Sequence, residues 1–358
     1  MKKAGLGIVG CGEIAPAYIK NIKEHFSGLL EVRACADIRA EMARKRAEEF
    51  GVPKVCSVTE LMADPDVEIV VNLTNPEAHH PVTMAAFNAG KHVFTEKPLG
   101  ISMDEGREMV ETAAAKGLML AGAADTFLGG SLQLCRKLVD QGRIGTPLNG
   151  TAYASLSVKS GRYFRKGYGP MFDMSPYYIT ALLVLLGPVK SVSGMARIPF
   201  PEKVDEKGNR QKVETPTNIV GLLQFESGPV AVITAACEVS GYYPRNEVFG
   251  TDAVLTTNDA NGYGGKVMLR TGSGVEDFQD PEGFNESGRA LGVAEMALAL
   301  REGRKPRASA EMLFHVLEIT HAIHESSGVK REVDVKSSWG RPEPFEWAAL
   351  KQAMGGRK

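Results

Sequence analysis

The stretch Gly5-Leu6-Gly7-Ile8-Val9-Gly10-Cys11-Gly12-Glu13-Ile14-Ala15 joins a short apolar segment to a glycine-rich turn. The apolar segment predicts a buried strand, and the periodic apolar residues after Ala15 predict a helix. In such a strand–turn–helix unit, Gly10 permits the tight turn and Gly12 lets the backbone approach a pyrophosphate. The stretch therefore predicts a dinucleotide-binding fold, with these residues at the cofactor: Gly10, Cys11, Gly12, Glu13 and Ile14.

An acidic residue, Asp37, ends the second predicted strand, residues 30–36. A position about 20 residues beyond the glycines is where such folds bind the ribose 2′-hydroxyl. Asp37 also suits the N-cap of a helix over residues 39–50, and both roles are compatible. Its charge would repel a 2′-phosphate, which favours NAD, whereas Arg39 nearby could accommodate that phosphate and keeps NADP open. Asp37, Ile38 and Arg39 thus join the predicted cofactor site.

Strands and helices continue to alternate up to residue 121. Strands are predicted over 67–73 and 118–121, and helices over 58–62, 81–89 and 103–116. This repeated βαβ pattern predicts a doubly wound parallel sheet in a domain over residues 1–123. A polar loop over 74–80 should follow the strand 67–73 and bring four residues to the cofactor: Leu73, Thr74, Asn75 and His79. The alternative for His79 is a neutral ring that packs beside a helix start.

A second informative stretch is Lys91-His92-Val93-Phe94-Thr95-Glu96-Lys97-Pro98. Its apolar run predicts a buried strand that delivers Lys97 to the carboxyl edge of the sheet, where open α/β sheets bind ligands. Proline disfavours helix for the preceding residue. A solvated Lys-Pro turn is the alternative for an isolated tripeptide, but the surrounding pattern favours Glu96 and Lys97 as site residues.

Composition narrows the class of protein. A chain of 358 residues suits two domains, here 1–123 and 124–358. The net charge of -1 gives no electrostatic reason to expect nucleic acid or an anionic membrane as partner. No stretch reaches the about 20 apolar residues that span a bilayer. Five scattered cysteines without a CxxC pair predict free thiols in a reducing compartment, no metal site and a cytoplasmic location.

The second half is dominated by predicted strands, at 148–158, 189–198, 217–226, 230–240, 248–256 and 266–269. Several alternate polar and apolar residues, which is typical of antiparallel strands buried on one side. Helices are expected over 132–140 and 288–301, and a further helix begins near Asp173 and continues to Leu186. Residues 200–214 should form a loop or a ribbon extension, and 277–285 a polar loop.

Several segments share a pattern with one known family: Gly10–Ala15, Asp37, Thr74–Pro76 with His79, Glu96–Pro98, Leu138–Gly145 and 311–325. The chain resembles the Gfo/Idh/MocA family, the relatives of glucose–fructose oxidoreductase and inositol dehydrogenase. The resemblance implies a Rossmann domain followed by a domain with a large, mostly antiparallel open sheet. It also implies homodimers or homotetramers formed through that sheet. Finally, it implies NAD- or NADP-dependent oxidation of a hydroxyl on a sugar, cyclitol or related polyol.

The chain departs from the family pattern at one catalytic position. Asp173 fits the aspartate of an Asp-x-x-x-His motif, but Tyr177 stands in the place of the histidine. Tyrosine has a pKa of about 10, too high for a base near neutrality, and a neighbouring ammonium lowers it. We hypothesise that Tyr177 is the acid/base, that Lys97 assists it, and that Asp173 binds the substrate hydroxyl. The alternative is that Asp173 caps a helix and Tyr177 only packs.

Four more residues complete the predicted substrate site: Asp125, Phe127, Arg162 and Tyr163. The last two belong to a basic, aromatic loop over 159–166. Such a loop is usually a solvated rim, but aromatic faces suit sugar rings, and arginine suits a carboxylate or phosphate. A neutral sugar or polyol is favoured over an acidic sugar.

Two other functions fit the same resemblance. The first is a glycoside-cleaving enzyme that uses bound NAD for a transient oxidation. The second is a non-enzymatic NAD-binding regulator. The presence of both Lys97 and Asp173 argues against the regulator, because a pure binding protein has no chemical need for them.

Overall fold

The structure is a computed structural model that describes residues 2–158, 160–257, 259–280, 282–286 and 288–355. Lys159 and Pro281, which belong to two predicted loops, lie outside the described residues. The chain forms two compact units. The first unit comprises Met1–Asp125, Ser287–Phe314 and Phe345–Lys358, and the second comprises Thr126–Glu286 and His315–Pro344. The chain thus returns twice to the first unit. The predicted division into 1–123 and 124–358 instead assigns both returning segments to the second domain.

The first unit contains a five-stranded sheet in the order β2-β1-β3-β4-β5. Its strands are β1 Ala4–Val9, β2 Leu30–Ala36, β3 Ile69–Asn72, β4 His92–Thr95 and β5 Leu120–Gly122. All neighbours pair in parallel, and every residue of β1 and β3 is buried. Such burial is expected for a sheet covered on both faces. The predicted doubly wound sheet is confirmed.

Five helices connect these strands: α1 Ala15–His25, α2 Ala40–Phe50, α3 Val58–Ala63, α4 Pro76–Asn88 and α5 Met103–Lys116. Local signals set the ends of α5. The Ser102 side chain accepts a hydrogen bond from the Glu105 N–H, and Gly117 ends the helix in the left-handed conformation.

The start of α4 was predicted wrongly. The helix begins at Pro76 and includes His79, whereas the sequence analysis placed a loop over 74–80 and started the helix at Pro81. Proline is favoured in the first helical turn, so either proline could mark the start of a helix, and Pro76 is the one that occupies this position. Pro81 instead lies inside the helix, so the polar segment is the first turn of α4.

The second unit begins with a 3₁₀ turn at Thr126–Leu128, and a second 3₁₀ turn lies at Gly161–Phe164. Its first helices are α6 Gly130–Asp140, α7 Pro170–Asp173 and α8 Ser175–Leu186. Its first strands are β6 Pro147–Ser155, β7 Val189–Arg197, β8 Glu202–Val204, β9 Arg210–Lys212, β10 Asn218–Phe225 and β11 Val230–Ala236. Four more follow: β12 Arg245–Gly250, β13 Val254–Thr257, β14 Val267–Thr271 and β15 Gly274–Phe278.

The last elements are α9 Leu291–Glu302, α10 Ala310–Val329, β16 Val333–Asp334 and α11 Trp347–Ala353. Nine strands form one sheet in the order β15-β14-β13-β12-β6-β11-β10-β7-β16, in which only β6 and β11 pair in parallel. Strands β8 and β9 form a separate antiparallel ribbon, one of the two structures expected for residues 200–214. The predicted large, mostly antiparallel sheet is confirmed.

Two element boundaries in this sheet differ from the sequence prediction. The segment 248–256 is not one strand, because a turn at residues 251–253 separates β12 from β13. Residues Asp277 and Phe278 end β15 rather than opening a polar loop. Exposed polar residues occur in turns, in loops and in strands at the edge of a sheet, so composition alone does not distinguish these structures.

The two faces of the nine-stranded sheet differ. Helix α8 is buried along its whole length and contacts β6, β11 and β12 on one face. On the other face, apolar side chains remain exposed in neighbouring strands: Met195, Val220, Leu222, Val230 and Tyr153. The core of the second unit therefore lies between the sheet and α8.

A buried carboxyl bonds the first returning segment to the rest of the first unit. The Asp125 side chain is wholly buried and accepts a hydrogen bond from the Gly292 N–H at 2.7 Å, near the start of α9. Arg301 then forms a two-pronged ion pair with Glu68, with N–O distances of 2.5 and 2.6 Å. These pairs attach α9 to the Rossmann sheet through groups far apart in sequence.

Among the described residues, no helix combines the length and the apolar character needed to cross a bilayer.

We expect Gly292→Ala to destabilise the protein. A β-carbon at this position would lie 2.6 Å from Asp125 Cβ and 2.8 Å from a ring carbon of Phe94. Overpacking of this kind costs about 1–3 kcal/mol. Denaturant unfolding should show the loss. In the matched control, Gly328→Ala, the new methyl group meets nothing within 4 Å, so stability should stay or rise slightly. Equal stability of the two variants would contradict the packing argument.

Candidate functional site

The glycine turn after β1 has the shape that the sequence predicts. Gly10 has a φ of +94°, a conformation that residues with side chains rarely adopt. A β-carbon there would lie 2.6 Å from the carbonyl group of Leu73 at the end of β3. A β-carbon at Gly12 would meet no atom within 4 Å. The fold therefore needs glycine at residue 10, whereas Gly12 borders open space.

The N-terminus of α1 is free of side-chain capping. Ile14 occupies the N-cap without a side-chain hydrogen bond, and the first turn carries no acidic residue. The first N–H groups of a helix have no intrahelical acceptor, and together with the helix dipole they favour an anion. The residues present therefore fit a dinucleotide, whose pyrophosphate would be held by the backbone of the turn: Gly10, Cys11, Gly12, Glu13 and Ile14.

Asp37 links the end of β2 to the glycine turn. Its Oδ2 accepts a hydrogen bond from the Cys11 N–H at 2.7 Å, and its Oδ1 accepts one from the Arg39 N–H at 2.8 Å. Arg39 occupies the N-cap of α2, so Asp37 does not cap that helix in the way the sequence alternative supposes. Ile38 is 99% exposed. A fixed carboxylate at this place fits a ribose with a free 2′-hydroxyl better than one with a 2′-phosphate.

Arg46 on α2 is a site residue that the sequence analysis missed. Its Nε and Nη2 both lie 3.3 Å from backbone oxygens of the turn, those of Cys11 and Gly12. Its Nη1 donates to Glu49 at 2.7 Å. Three basic residues occur on α2, Arg44, Lys45 and Arg46, and the sequence alone gives no sign of which one reaches the turn.

The loop after β4 is fixed by the side chain of Glu96. The Tyr18 hydroxyl donates to Glu96 Oε1 at 2.8 Å, and the Lys97 N–H donates to Oε2 at 3.2 Å. Glu96 is buried, and Tyr18 is fully buried in α1, directly after the glycine turn. This buried carboxylate therefore joins the backbone of Lys97 to the helix that begins at the predicted pyrophosphate site.

His79 is completely buried between two loops. Its Nδ1 lies 2.7 Å from the Pro98 carbonyl oxygen, and its Nε2 lies 3.1 Å from that of Thr74. Burial lowers the pKa of His79, which favours the neutral ring with a single N–H. We assign the proton to Nδ1, which is closer to its acceptor. This geometry favours the packing alternative for His79 over a direct cofactor contact.

Asn72 holds the loop between β3 and α4 and was also missed by the sequence analysis. Its Oδ1 accepts hydrogen bonds from the Thr74 hydroxyl at 2.6 Å and the Thr74 N–H at 3.3 Å. Its Nδ2 donates to the His79 carbonyl oxygen at 3.0 Å. As the last residue of a buried strand, it resembled part of an apolar run. Three predicted cofactor residues follow it at this edge: Leu73, Thr74 and Asn75.

In the second unit, the predicted single helix that carries Asp173 and Tyr177 is interrupted. Asp173 is the last residue of α7, and Tyr177 lies in the first turn of α8, with Met174 between the two helices. A spacing of four residues places two side chains on one face only in a continuous helix, so this spacing does not by itself bring Asp173 and Tyr177 together. Asp173 is half-buried and Tyr177 is buried. Burial, with the charges of Glu238 and Asp173, raises the pKa of the Cys237 thiol to about 12, so Asp173 lies close to Cys237.

The predicted aromatic loop is less exposed than expected. Tyr163 is buried in a small cluster with Phe164, Val213 and Cys237. The Arg162 guanidinium lies over the Tyr163 ring, 5.8 Å from its centre. Of this pair, Arg162 is the residue that reaches solvent.

Two further predicted substrate residues face the protein interior. Asp125 is bonded to the Gly292 N–H, and burial raises the pKa of its carboxyl. Phe127 is 1% exposed. Their contacts support the fold, and we leave both out of the substrate contacts proposed below.

The thiols agree with the sequence prediction, because all five cysteines are free. In the part of the chain that the structure describes, no three His, Cys, Asp or Glu side chains converge on a possible metal site.

Two family profiles match the chain along most of its length. Residues 4–123 match the oxidoreductase family with an NAD-binding Rossmann fold, GFO_IDH_MocA. Residues 132–256 match the GFO/IDH/MocA C-terminal domain. The first profile identifies the first unit as an NAD-binding domain.

Relatives and solved structures extend this finding. The chain is 28% identical to the myo-inositol 2-dehydrogenase of Thermotoga maritima over 94% of this chain and 99% of that protein. It is 27% identical to the 1,5-anhydro-D-fructose reductase of Ensifer adhaerens over 78% of this chain and 81% of that one. Levoglucosan dehydrogenase, solved with NADH and levoglucosan, superposes with a TM-score of 0.84 at 21% identity, covering 94% of this chain and 100% of that one. At that identity the superposition shows the fold alone.

Replacement of Gly12 by alanine should separate cofactor binding from folding. The new methyl group would meet no protein atom within 4 Å, so the unfolding midpoint should not change. It would occupy the open space beside the turn and weaken NAD binding by about tenfold or more, a loss of at least about 1.4 kcal/mol. Titration calorimetry measures the affinity.

The comparison variant is Gly10→Ala, which should lower both stability and affinity because the fold itself needs glycine there. Unchanged NAD affinity in the Gly12→Ala protein would contradict the assignment of this turn to the pyrophosphate.

Proposed function

Because the chain belongs to the GFO/IDH/MocA oxidoreductase family, we propose that it moves a hydride between NAD and a hydroxyl-bearing carbon of a sugar, cyclitol or glycoside. The observation that carries this proposal is the relationship over 94% of the chain to a myo-inositol 2-dehydrogenase. The anhydrofructose reductase and levoglucosan dehydrogenase also have names that refer to sugar substrates. A cytoplasmic location, supported by the five free thiols, is part of the same proposal.

We assign the proton chemistry to Tyr177, Lys97 and Asp173. NAD, when bound, supplies the hydride acceptor. A hydride leaves a carbinol carbon only if the hydroxyl proton is also removed, and Tyr177 is the proposed base for that proton. Tyrosine needs a neighbouring cation to act near neutrality, and Lys97 is assigned that role. Asp173 is proposed to accept a hydrogen bond from the substrate hydroxyl.

Buried contacts support the assignment of Lys97. Glu96 accepts hydrogen bonds from the Tyr18 hydroxyl and from the Lys97 N–H, so the backbone of Lys97 is held by a side chain that is itself anchored. Catalytic groups act best when the groups around them fix their positions. Arg162 reaches solvent and remains a proposed substrate contact. The buried Tyr163 ring lies beneath its guanidinium group and helps to position it.

The test of function follows the redox state of the cofactor during turnover. The purified protein is mixed with NAD, or with NADP, and with myo-inositol, levoglucosan, D-glucose, D-xylose, 1,5-anhydro-D-glucitol and a nitrophenyl glucoside. Growth of NADH absorbance with one of the polyols is the expected result. Release of nitrophenol without net NADH would replace this function with transient-oxidation glycoside cleavage. Binding of NAD without reaction across the panel would favour a regulator.

The Tyr177→Phe variant should retain NAD affinity and lose turnover. Removing a positioned acid/base lowers the rate by about 10²- to 10⁴-fold. Steady-state kinetics with the best polyol measures this loss. Tyr243→Phe is the matched control, because it removes an exposed phenol and should keep full activity. Full turnover by Tyr177→Phe would leave the base unassigned.

We further propose that a second copy of this chain covers the open face of the nine-stranded sheet. Met195 is 71% exposed on β7, and it lies opposite Val220 on β10. Leu222 follows on the same face, which gives neighbouring exposed apolar side chains. Apolar patches on a sheet are typical of interfaces between protein chains. A symmetric dimer would bury the same patch from both copies.

Replacement of Leu222 by arginine should dissociate this assembly. In a two-fold interface each copy would bring the new charge to the same buried contact, where it would be unpaired. Light scattering after size exclusion should give two or four chains for the wild type and one for the variant. Val329→Arg places the same charge at an equally exposed apolar residue at the end of α10, outside this sheet, and should leave the assembly unchanged. A monomeric wild type would refute the proposal.

A further inference from the structure

A carboxylate and two tyrosines of the second unit form a hydrogen-bonded group that no role above uses. The Tyr178 hydroxyl donates to Asp259 Oδ1 at 2.8 Å, and the Tyr242 hydroxyl donates to Asp259 Oδ2. The two phenol oxygens lie 3.2 Å apart. The Asn261 N–H also donates to Asp259 Oδ1, at 3.0 Å. We call Tyr178, Tyr242 and Asp259 the Asp259 cluster.

The cluster adjoins Tyr177, the proposed base. Tyr178 is the next residue of α8 and is completely buried, whereas Tyr242 is 49% exposed and opens the cluster to solvent. Burial raises the pKa of Tyr242, the hydrogen bond to Asp259 raises it further, and the Tyr177 phenol adds a smaller increase. The Tyr242 oxygen also lies 3.2 Å from that of Tyr178, the covalent neighbour of Tyr177, so the cluster lies beside the proposed base.

The hydrogen bonds of the cluster determine what it can bind. Both phenols direct their protons to Asp259, so their oxygens keep lone pairs that accept hydrogen bonds. Asp259 adds a negative charge. Arg245, the first residue of β12 and the next cation along the chain after Tyr242, is already bonded to Glu247 at 2.7 Å. A group of this kind favours a hydroxyl donor and repels a carboxylate or a phosphate.

A neighbouring buried amide supports the presence of a polar ligand. Asn246 on β12 is 1% exposed, and neither polar atom of its side chain has a partner among the described residues. Asn246 lies opposite Thr257 in the β12–β13 pair. Thr257 is two residues before Asp259 in the chain. Buried side-chain amides are nearly always hydrogen-bonded. An unpaired amide at this end of the strand pair is therefore a second sign of a polar binding site.

We propose that the Asp259 cluster binds a second hydroxyl of the substrate, next to the one that is oxidised, and thereby selects neutral polyols over acidic sugars. The inference rests on the function proposed above and narrows its substrate class. Tyr242 is the contacting residue, whereas Asp259 and Tyr178 position its hydroxyl.

The first test compares Tyr242→Phe with Tyr243→Phe in oxidation of the polyol that the wild type turns over fastest. Loss of one hydrogen bond to a bound hydroxyl should raise KM about three- to tenfold and leave kcat within about twofold. Tyr243→Phe removes a hydroxyl outside the cluster and should change neither value. Calorimetry of polyol binding to the protein–NADH complex should show the same ratio in Kd. An unchanged KM for Tyr242→Phe would overturn the proposal.

The second test removes the charge of the cluster. Inhibition of polyol oxidation by D-glucuronate should be weak in the wild type and at least about tenfold stronger in Asp259→Asn, because the repulsion is lost. Equal inhibition of the two proteins would overturn the charge selection.

The outcomes separate this inference from the proposed function. If Asp259→Asn does not fold, the Tyr242→Phe result decides, since that change removes one oxygen from a half-exposed ring. If the wild type oxidises a polyol and the cluster variants behave like it, only this inference fails. If the wild type oxidises nothing in the panel, the proposed function fails and the inference with it.

Discussion

Buried polar groups need partners, and this requirement shapes the carboxyl edge of the Rossmann sheet. Each loop there is attached to another loop by one buried or nearly buried side chain. Asp37 holds the glycine turn, Asn72 holds the turn at Thr74, and Glu96 joins the Lys97 backbone to α1. The result is a set of loops whose positions depend on one another. A change at the glycine turn therefore has a direct route, through α1 and Glu96, to the backbone of the proposed catalytic lysine.

The sequence predicted those features that depend on local chemistry. Gly10 could be found because residues with side chains rarely adopt its backbone conformation, and Asp37 because it follows a strand at a fixed distance from the turn. Arg46 and Asp259 could not be found in this way, because their roles depend on contacts with residues distant in the chain. The role of Asn72 could not be predicted for a different reason. The neighbours of a polar residue in an apolar strand do not indicate which groups its side chain will bond.

The break at Met174 shows where periodicity was a poor guide. A spacing of four residues places two side chains on one face only if the helix is continuous. Asp173 and Tyr177 have that spacing, but they belong to two helices. Their proposed cooperation therefore cannot rest on helix geometry. It rests on the family resemblance and on the chemistry of each residue, which is why separate variants are needed to assign the roles.

The second unit brings together three tyrosines, Tyr177, Tyr178 and Tyr242, and their surroundings suit them to different roles. Burial, with the charge of Asp259, raises the pKa of Tyr178. Burial and the same carboxylate also raise the pKa of Tyr242. Both phenols therefore remain protonated near neutrality and can serve as hydrogen-bonding groups but not as bases. Tyr177 is the one of the three that the family pattern places at the position of the base. The carboxylate that would select a neutral polyol thus also removes two of the three candidates for proton transfer.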